Sequence, residues 1–155
     1  MNFTNWQTFR WSGKIHWGCV VNGQAFSNVT SLPSLPKPRA ILSFTEPSDL
    51  VEKLKPHYQC VEAGGAGHKI LCVVLGLADV YVSSKASTYK WDTCAGQALL
   101  NSIGGGCVAY FTPDQDLTYN TPNAGQSGIG QWCNDKGVIA FRHPKQLEKL
   151  LQLLK

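Results

Sequence analysis

The sequence predicts an α/β fold: a layered α/β domain over residues 40–155, preceded by antiparallel strands within residues 1–39. Two patterns lead to this prediction. Over residues 8–29, apolar and polar residues alternate around Ser-Gly and Asn-Gly turn dipeptides, which is typical of antiparallel strands. From residue 40 onward, short apolar segments alternate with helical patterns, which is typical of a sheet covered by helices.

The N-terminal segment divides into strands and a linker. Residues 8–29 are predicted to form two or three short strands, because turn dipeptides lie at 12–13 and 22–23. Three prolines within residues 31–39 exclude a helix there, so this stretch is predicted to be a linker or a crossing loop. The predicted domain boundary therefore falls between residues 39 and 40.

The rest of the chain alternates between predicted strands and helices. A short strand at 40–44 precedes a helix that is predicted to start near Thr45, to carry Pro47 in its first turn and to end at Pro56. Residues 69–76 fit either a strand or a buried helix, because their apolar run has no decisive period. The remaining predicted elements are a strand around 80–82, a helix from Trp91 with glycines 104–106 at its C-cap, a surface loop over 113–130, a strand over 137–142 and a helix from Pro144.

Composition and charge narrow the function classes. The 155 residues carry a net charge of +4 on scattered Lys and Arg residues, which argues against a nucleic-acid surface and is compatible with a small anionic ligand. The six cysteines form no CxxC pair, no run is apolar enough to cross a membrane, and residues 1–11 do not resemble a signal peptide. These features predict a cytoplasmic protein with reduced thiols and with neither a nucleic-acid nor a membrane partner.

Asp92 is the first candidate functional residue. It lies at the start of a predicted helix, where free backbone N–H groups and a partial positive charge collect. One interpretation is that its carboxylate caps the helix, and spacing alone favours this one. The other is that it binds a hard cation while neighbouring amides bind a phosphate.

The glycine-rich loop at residues 64–67 is the second candidate. Its glycines are compatible with simple relief of backbone strain in a turn. They also fit a loop whose amides approach a phosphate, with Lys69 supplying a positive charge beside it. Neither pattern is specific by itself.

Taken together, these motifs resemble the magnesium-dependent, lithium-sensitive phosphatases of the inositol monophosphatase superfamily. The resemblance rests on GAGHKILCVVLGLADVY at 65–81, followed after eight residues by KWDTCAGQALLNSIGGG at 90–106. Flanking matches, tryptophan–glycine strands at 11–18 and WCNDKGVIAFR at 132–142, are similar to the members that act on inositol polyphosphates. The resemblance implies the C-terminal half of a sugar-phosphatase αβαβα sandwich.

The resemblance also implies roles for particular residues. Asp92 matches a catalytic aspartate that binds Mg²⁺ near the leaving oxygen. Lys85 stands where a cation would suit a second phosphate of the substrate; the alternative is that it is simply an exposed surface lysine. Pro47 stands where the family has a substrate-contacting lysine. The implied substrate-binding residues are Ser43, Thr45, Gly65, Ala66, Lys69 and Lys85.

The implied activity is Mg²⁺-dependent, Li⁺-inhibited hydrolysis of the 1-phosphate of inositol 1,4-bisphosphate and inositol 1,3,4-trisphosphate. Such two-metal chemistry needs several carboxylates, yet the family's D-P-[IL]-D-[GS]-T segment does not occur in these 155 residues. We therefore expect a C-terminal portion that binds substrate without turnover when alone and that self-associates through an exposed strand edge. The alternatives are a non-catalytic inositol phosphate-binding module and a phosphatase of nucleotide bisphosphates.

Overall fold

The computed structural model describes residues 13–30 and 36–155, which form a small antiparallel ribbon and a larger mixed sheet with helices on both faces. The ribbon consists of β1 (Gly18–Val21) and β2 (Gln24–Ser27). The larger unit contains, in chain order, β3 (Arg39–Leu42), α1 (Ser48–Leu54), β4 (Gln59–Glu62), α2 (Ala66–Val74), β5 (Val80–Ser83), α3 (Lys90–Asn101), β6 (Gly106–Val108), a 3₁₀ helix (Gly128–Trp132), β7 (Val138–Phe141) and α4 (Pro144–Leu154).

The larger sheet has the strand order β4-β3-β5-β7-β6. Strand β3 pairs in parallel with both β4 and β5, whereas β7 pairs antiparallel with β5 and β6. The carboxyl ends of the three parallel strands therefore meet at one edge of the sheet. In open α/β sheets this edge is where ligands bind.

The two faces of this sheet carry separate apolar cores. Because side chains alternate along a strand, Ala40 and Leu42 of β3 face one core and Ile41 faces the other. The first core includes Leu50 and Leu54 of α1 and Leu150 of α4. The second includes buried residues of α2 and α3, namely Ile70, Val73, Val74 and Leu100. The sheet thus lies between two helical layers, which confirms the predicted layered α/β fold.

Several elements differ from the sequence prediction. The ambiguous segment 69–76 is mostly helix, since α2 runs through Ala66–Val74. The first helix starts later than predicted, with Pro47 as its N-cap, because Glu46 N–H donates to Ser43 O and closes a turn ahead of it. Strands β4 and β6 were not predicted, β4 because half of its residues are polar and β6 because its glycine was assigned to a helix cap.

The ribbon confirms the predicted Asn-Gly turn. Asn22 and Gly23 both have positive φ angles, 50° and 76°, as a tight hairpin turn between two strands requires. Strand β1 packs against α3, where a Cβ on Gly18 would lie 2.1 Å from Ser102 Oγ. The predicted residues 8–12 and the first part of the linker lie outside the described residues. The domain division at residue 39 stays a prediction.

The described segments also bear on two predictions about the protein's environment. All six cysteines are unpaired. Within residues 13–30 and 36–155, no helix combines the length and apolarity needed to cross a bilayer.

Self-association through the ribbon stays a prediction. Among residues 13–30 and 36–155, no strand pairs with the outer edges of this two-stranded ribbon, and Trp17, Val20, Val21 and Phe26 beside its turn and strands are each about half exposed. Sedimentation equilibrium over a range of chain concentrations is expected to show a dimer. A Val20→Lys variant, which places a charge on the exposed ribbon, is expected to weaken that dimer, and a wild-type chain that stays monomeric would contradict the prediction.

Gly96 sets the spacing between α2 and α3, because a Cβ there would lie 2.4 Å from Cγ2 of the buried Ile70. Gly96→Ala is expected to lower the free energy of unfolding by about 1–2 kcal/mol, since overpacking outweighs the gain in helix propensity. Denaturant titration measures the change. The control is Gly130→Ala in the 3₁₀ helix, where the nearest atom would be Gln126 Oε1 at 3.5 Å. Equal stability of both variants would show that α2 and α3 do not pack this closely.

Candidate functional site

A cavity of about 330 Å³ lies at the carboxyl ends of β3 and β4, beside the amino ends of α2 and α3. Two of the three parallel strands are followed directly by a lining residue, Ser43 after β3 and Ala63 after β4. Of the seven residues that the sequence singled out, six line this cavity: Ser43, Thr45, Gly65, Ala66, Lys69 and Asp92. The fold therefore brings together residues that lie up to 49 positions apart in the sequence.

Lys69 forms the floor of the cavity and is only 4% exposed. Its Nζ donates to Ser43 Oγ at 2.6 Å and to the Ala63 carbonyl at 3.3 Å, so it joins the two strand ends. The ammonium also lies 5.0 Å from the centroid of the Tyr81 ring, a cation–π distance. Since a lysine ammonium has three N–H donors, one remains for a ligand.

Burial determines the ionisation of this region. Burial lowers the pKa of Lys69, and the negative charge of Glu46 opposes that lowering. Burial also raises the pKa of Tyr81 to about 12, so the ring beneath Lys69 is a neutral phenol near pH 7. At 4% exposure the Lys69 amine has little contact with water, and its charged form favours the approach of an anion.

The amino end of α2 forms a second wall. Its N-cap, Gly65, has a φ of 74°, a left-handed conformation that glycine adopts without strain. No side chain caps this helix, and its first turn contains no acidic residue. The first-turn N–H groups of α2 therefore keep their capacity to bind an anion at the cavity.

Asp92 takes part in capping α3, which is the interpretation that its spacing favoured: it is the third helical residue, and its carboxylate reaches back to the N-cap residue Tyr89, as in a capping box. Its Oδ2 accepts a hydrogen bond from the backbone N–H of Tyr89 at 2.8 Å. Within the described residues, Oδ1 has no hydrogen-bond partner, and Asp92 also lines the cavity. The capping interpretation and a ligand role are therefore compatible for the two oxygens of one carboxylate.

The described residues do not fit a complete metal site. Across 13–30 and 36–155, no three His, Cys, Asp or Glu side chains lie together in a way that could hold a metal ion. Asp92 is the single carboxylate among the lining residues. A Mg²⁺ ion usually takes one or two carboxylates together with water and substrate oxygens, so Asp92 can supply only part of its ligands.

Lys85 does not line the cavity. Its side chain is exposed, and its Nζ donates to the carbonyl of Thr45. The structure thus places Lys85 behind the turn that carries Ser43 and Thr45, where it supports that turn. Direct contact between Lys85 and a substrate stays a prediction.

Sequence reasoning missed a contact that holds two walls of the cavity together. Glu46 Oε2 accepts hydrogen bonds from the backbone N–H of Ser84 at 2.9 Å and from Ser84 Oγ at 2.7 Å. These bonds connect the turn after β3 to the loop that leads to α3. The two residues are 38 positions apart, and no local pattern in the sequence indicates such a pairing.

A second set of missed residues lies just ahead of α3. Ser87 and Thr88 line the cavity, and two polar residues before a helix start were the available signal. Thr88 is held by the buried Asn134, whose Nδ2 donates to Thr88 Oγ1 at 3.0 Å and to Thr93 Oγ1 at 3.3 Å. Asn134, which belongs to the WCNDKGVIAFR motif at 132–142, thus holds the residues at the start of α3 and, with them, Asp92.

Comparison with known proteins finds relatives over most of the chain. Inositol polyphosphate 1-phosphatase from Bos taurus is 36% identical over 180 aligned positions, which cover 95% of this chain and 44% of the relative. The Homo sapiens protein of that name is 32% identical, with 95% and 44% coverage. The 3'(2'),5'-bisphosphate nucleotidase 1 of Homo sapiens is 32% identical over 145 positions, with 90% and 46% coverage. The chain therefore spans less than half the length of these curated relatives.

Solved structures share the fold. An inositol monophosphatase from Zymomonas mobilis superposes with a TM-score of 0.57 at 16% identity, covering 84% of this chain and 49% of that one. Inositol monophosphatase II from Staphylococcus aureus gives 0.56 at 14% identity, with 87% and 49% coverage. The model of the family described as "Inositol monophosphatase family" matches residues 4–154. The chain belongs to the inositol monophosphatase family.

Proposed function

We propose that the chain forms the substrate-binding part of a phosphatase that hydrolyses the 1-phosphate of inositol 1,4-bisphosphate and inositol 1,3,4-trisphosphate in phosphatidylinositol signalling in the cytoplasm. Family membership and the relatives named inositol polyphosphate 1-phosphatase support this proposal. The observation that carries it is the buried ammonium of Lys69 on the floor of a cavity beside an uncapped helix end.

The proposed binding chemistry follows from the residues around the cavity. A phosphate accepts charge-assisted hydrogen bonds from Lys69 and from backbone N–H groups at Gly65, Ala66 and the first turn of α2. Ring hydroxyls donate to and accept from Ser43 and Thr45, whose hydroxyls can do both. The ligand class is thus a phosphorylated polyol, in agreement with a net charge of +4.

In this proposal, the chain supplies only some of the ligands that the metal ions need. We propose that Asp92 Oδ1 contributes one ligand to Mg²⁺ and that Li⁺ inhibition arises at the same metal. Two-metal hydrolysis needs several carboxylates, and among the described residues that line the cavity Asp92 is the single one. The role we propose for the described residues is therefore to bind and orient the phosphorylated ring.

The nucleotide alternative rests on one comparison. A relative at 32% identity over 90% of this chain is named 3'(2'),5'-bisphosphate nucleotidase. Such nucleotides, like inositol 1,4-bisphosphate, are polyols with two phosphate monoesters, so the same cavity chemistry would bind either. A non-catalytic inositol phosphate-binding module is the other alternative, and phosphate release with Mg²⁺ separates it from the enzyme.

Lys69→Met removes the ammonium and keeps most of the side-chain volume. It is expected to weaken inositol 1,4-bisphosphate binding by about tenfold or more, because an ionic hydrogen bond contributes about 1.5–3 kcal/mol. Isothermal titration calorimetry at low salt measures the affinity. The matched control is Lys90→Met, because Lys90 is also buried but its Nζ donates to the Thr121 carbonyl outside the cavity.

The comparison of the two lysine variants is decisive for the binding site. Equal affinity of Lys69→Met and the wild-type chain would remove the phosphate role of this cavity. A loss confined to Lys90→Met would move the anion site to the neighbouring hollow that Lys90 and Lys136 line. Thermal unfolding of each variant checks that the fold persists.

Asp92→Ala removes the acceptor of the Tyr89 N–H. It is expected to lower the free energy of unfolding by about 1 kcal/mol, the usual contribution of a helix cap, while Asp92→Asn keeps an oxygen acceptor and loses less. Denaturant unfolding measures both. The control is Asp135→Ala, which deletes an exposed carboxylate and is expected to change stability by less than about 0.5 kcal/mol. No difference between Asp92→Ala and that control would refute the capping role.

A further inference from the structure

The cavity contains an aromatic residue that the binding chemistry above does not use. Phe44 lies between Ser43 and Thr45, lines the cavity, and is 68% exposed. Leu42, two residues earlier, is 1% exposed, so the chain passes from the core to the cavity within two residues. An exposed phenylalanine is common on a surface, but this one is the single aromatic residue in a concave wall whose other residues are polar side chains, glycines and alanines.

The backbone turn that carries Phe44 is held by hydrogen bonds. The turn that carries it is closed by the hydrogen bond from Glu46 N–H to Ser43 O at 3.2 Å. The same turn is held from below by Lys69 through Ser43 Oγ and from the side by Ser84 through Glu46. Phe44 therefore belongs to a turn that is closed by its own hydrogen bond and attached to Lys69 and to Ser84.

Gly64, another lining residue, leaves space in the cavity. A Cβ added to Gly64 would meet no atom within 4 Å, and its φ is not in the left-handed range. Neither the backbone conformation nor contact with another protein atom therefore requires glycine there. A glycine in such a place is compatible with close approach of a ligand to the backbone.

We propose that Phe44 is the residue against which the ring of the bound ligand packs, so that it determines specificity for a phosphorylated ring over free phosphate. This inference rests on the proposed function, since the phosphate is held at Lys69. The ring needs an apolar face, which the C–H groups of a cyclitol and the face of a purine base both provide. An aromatic side chain contributes contact area at a small cost in conformational entropy.

The test compares two phenylalanines of similar exposure. Phe44→Ala is measured against Phe111→Ala, because Phe111 is 65% exposed and lines a different hollow beside α4. Three ligands are titrated by calorimetry into each full chain: inositol 1,4-bisphosphate, adenosine 3',5'-bisphosphate and inorganic phosphate. Phe44→Ala is expected to weaken at least one ring ligand by about fivefold or more and to leave inorganic phosphate unchanged. Phe44→Trp is expected to retain ring binding.

The outcomes separate the two proposals. A loss with the inositol ligand identifies a cyclitol ring as the partner of Phe44, and a loss with the adenosine ligand identifies a base. If Phe44→Ala weakens inorganic phosphate equally, or leaves both ring ligands unchanged, the inference is wrong. If Phe44→Ala loses ring binding while Lys69→Met binds normally, the ring contact holds and the phosphate role of Lys69 fails. A wild-type chain that binds none of the three contradicts both.

Discussion

The hydrogen bonding of the buried Lys69 ammonium is the interaction on which the site depends. By donating to Ser43 Oγ and to the Ala63 carbonyl, one side chain of α2 holds the ends of two parallel strands in place. An ammonium without such partners would be costly at 4% exposure. The ion pair seen among the described residues joins Lys55 and Glu52 on the surface, so the charge of Lys69 keeps its attraction for an anion.

The packing of α2 on α3 brings the amino ends of both helices close to the Lys69 ammonium. Gly96 allows the two helices to approach closely, and a Cβ on Gly67 would lie 3.9 Å from the Asp92 carbonyl oxygen. The amino ends of both helices therefore open on the same cavity. Glu46 and Asn134 then hold the loop between β5 and α3 near its two ends, at Ser84 and at Thr88. The geometry of the site is thus set by the core and by long-range hydrogen bonds.

The sequence predicted the features that depend on the backbone preferences and side chains of a few neighbouring residues. The Asn-Gly turn, the cap at Asp92 and the glycine at the start of α2 follow from backbone preferences of a few residues. The family resemblance also predicted that motifs distant in the sequence come together in the fold. Six of the seven residues that it implied line one cavity. The pairing of Glu46 with Ser84, the place of Lys85 and the exposure of Phe44 depend on contacts across the fold, which no local pattern encodes.

The most direct test is a crystal structure of this chain with inositol 1,4-bisphosphate bound. The predicted result is a phosphate oxygen within hydrogen-bond distance of Lys69 Nζ and of first-turn amides of α2, with the ring over Phe44. A phosphate bound instead in the hollow of about 140 Å³ lined by Lys90 and Lys136 would contradict the central role of Lys69.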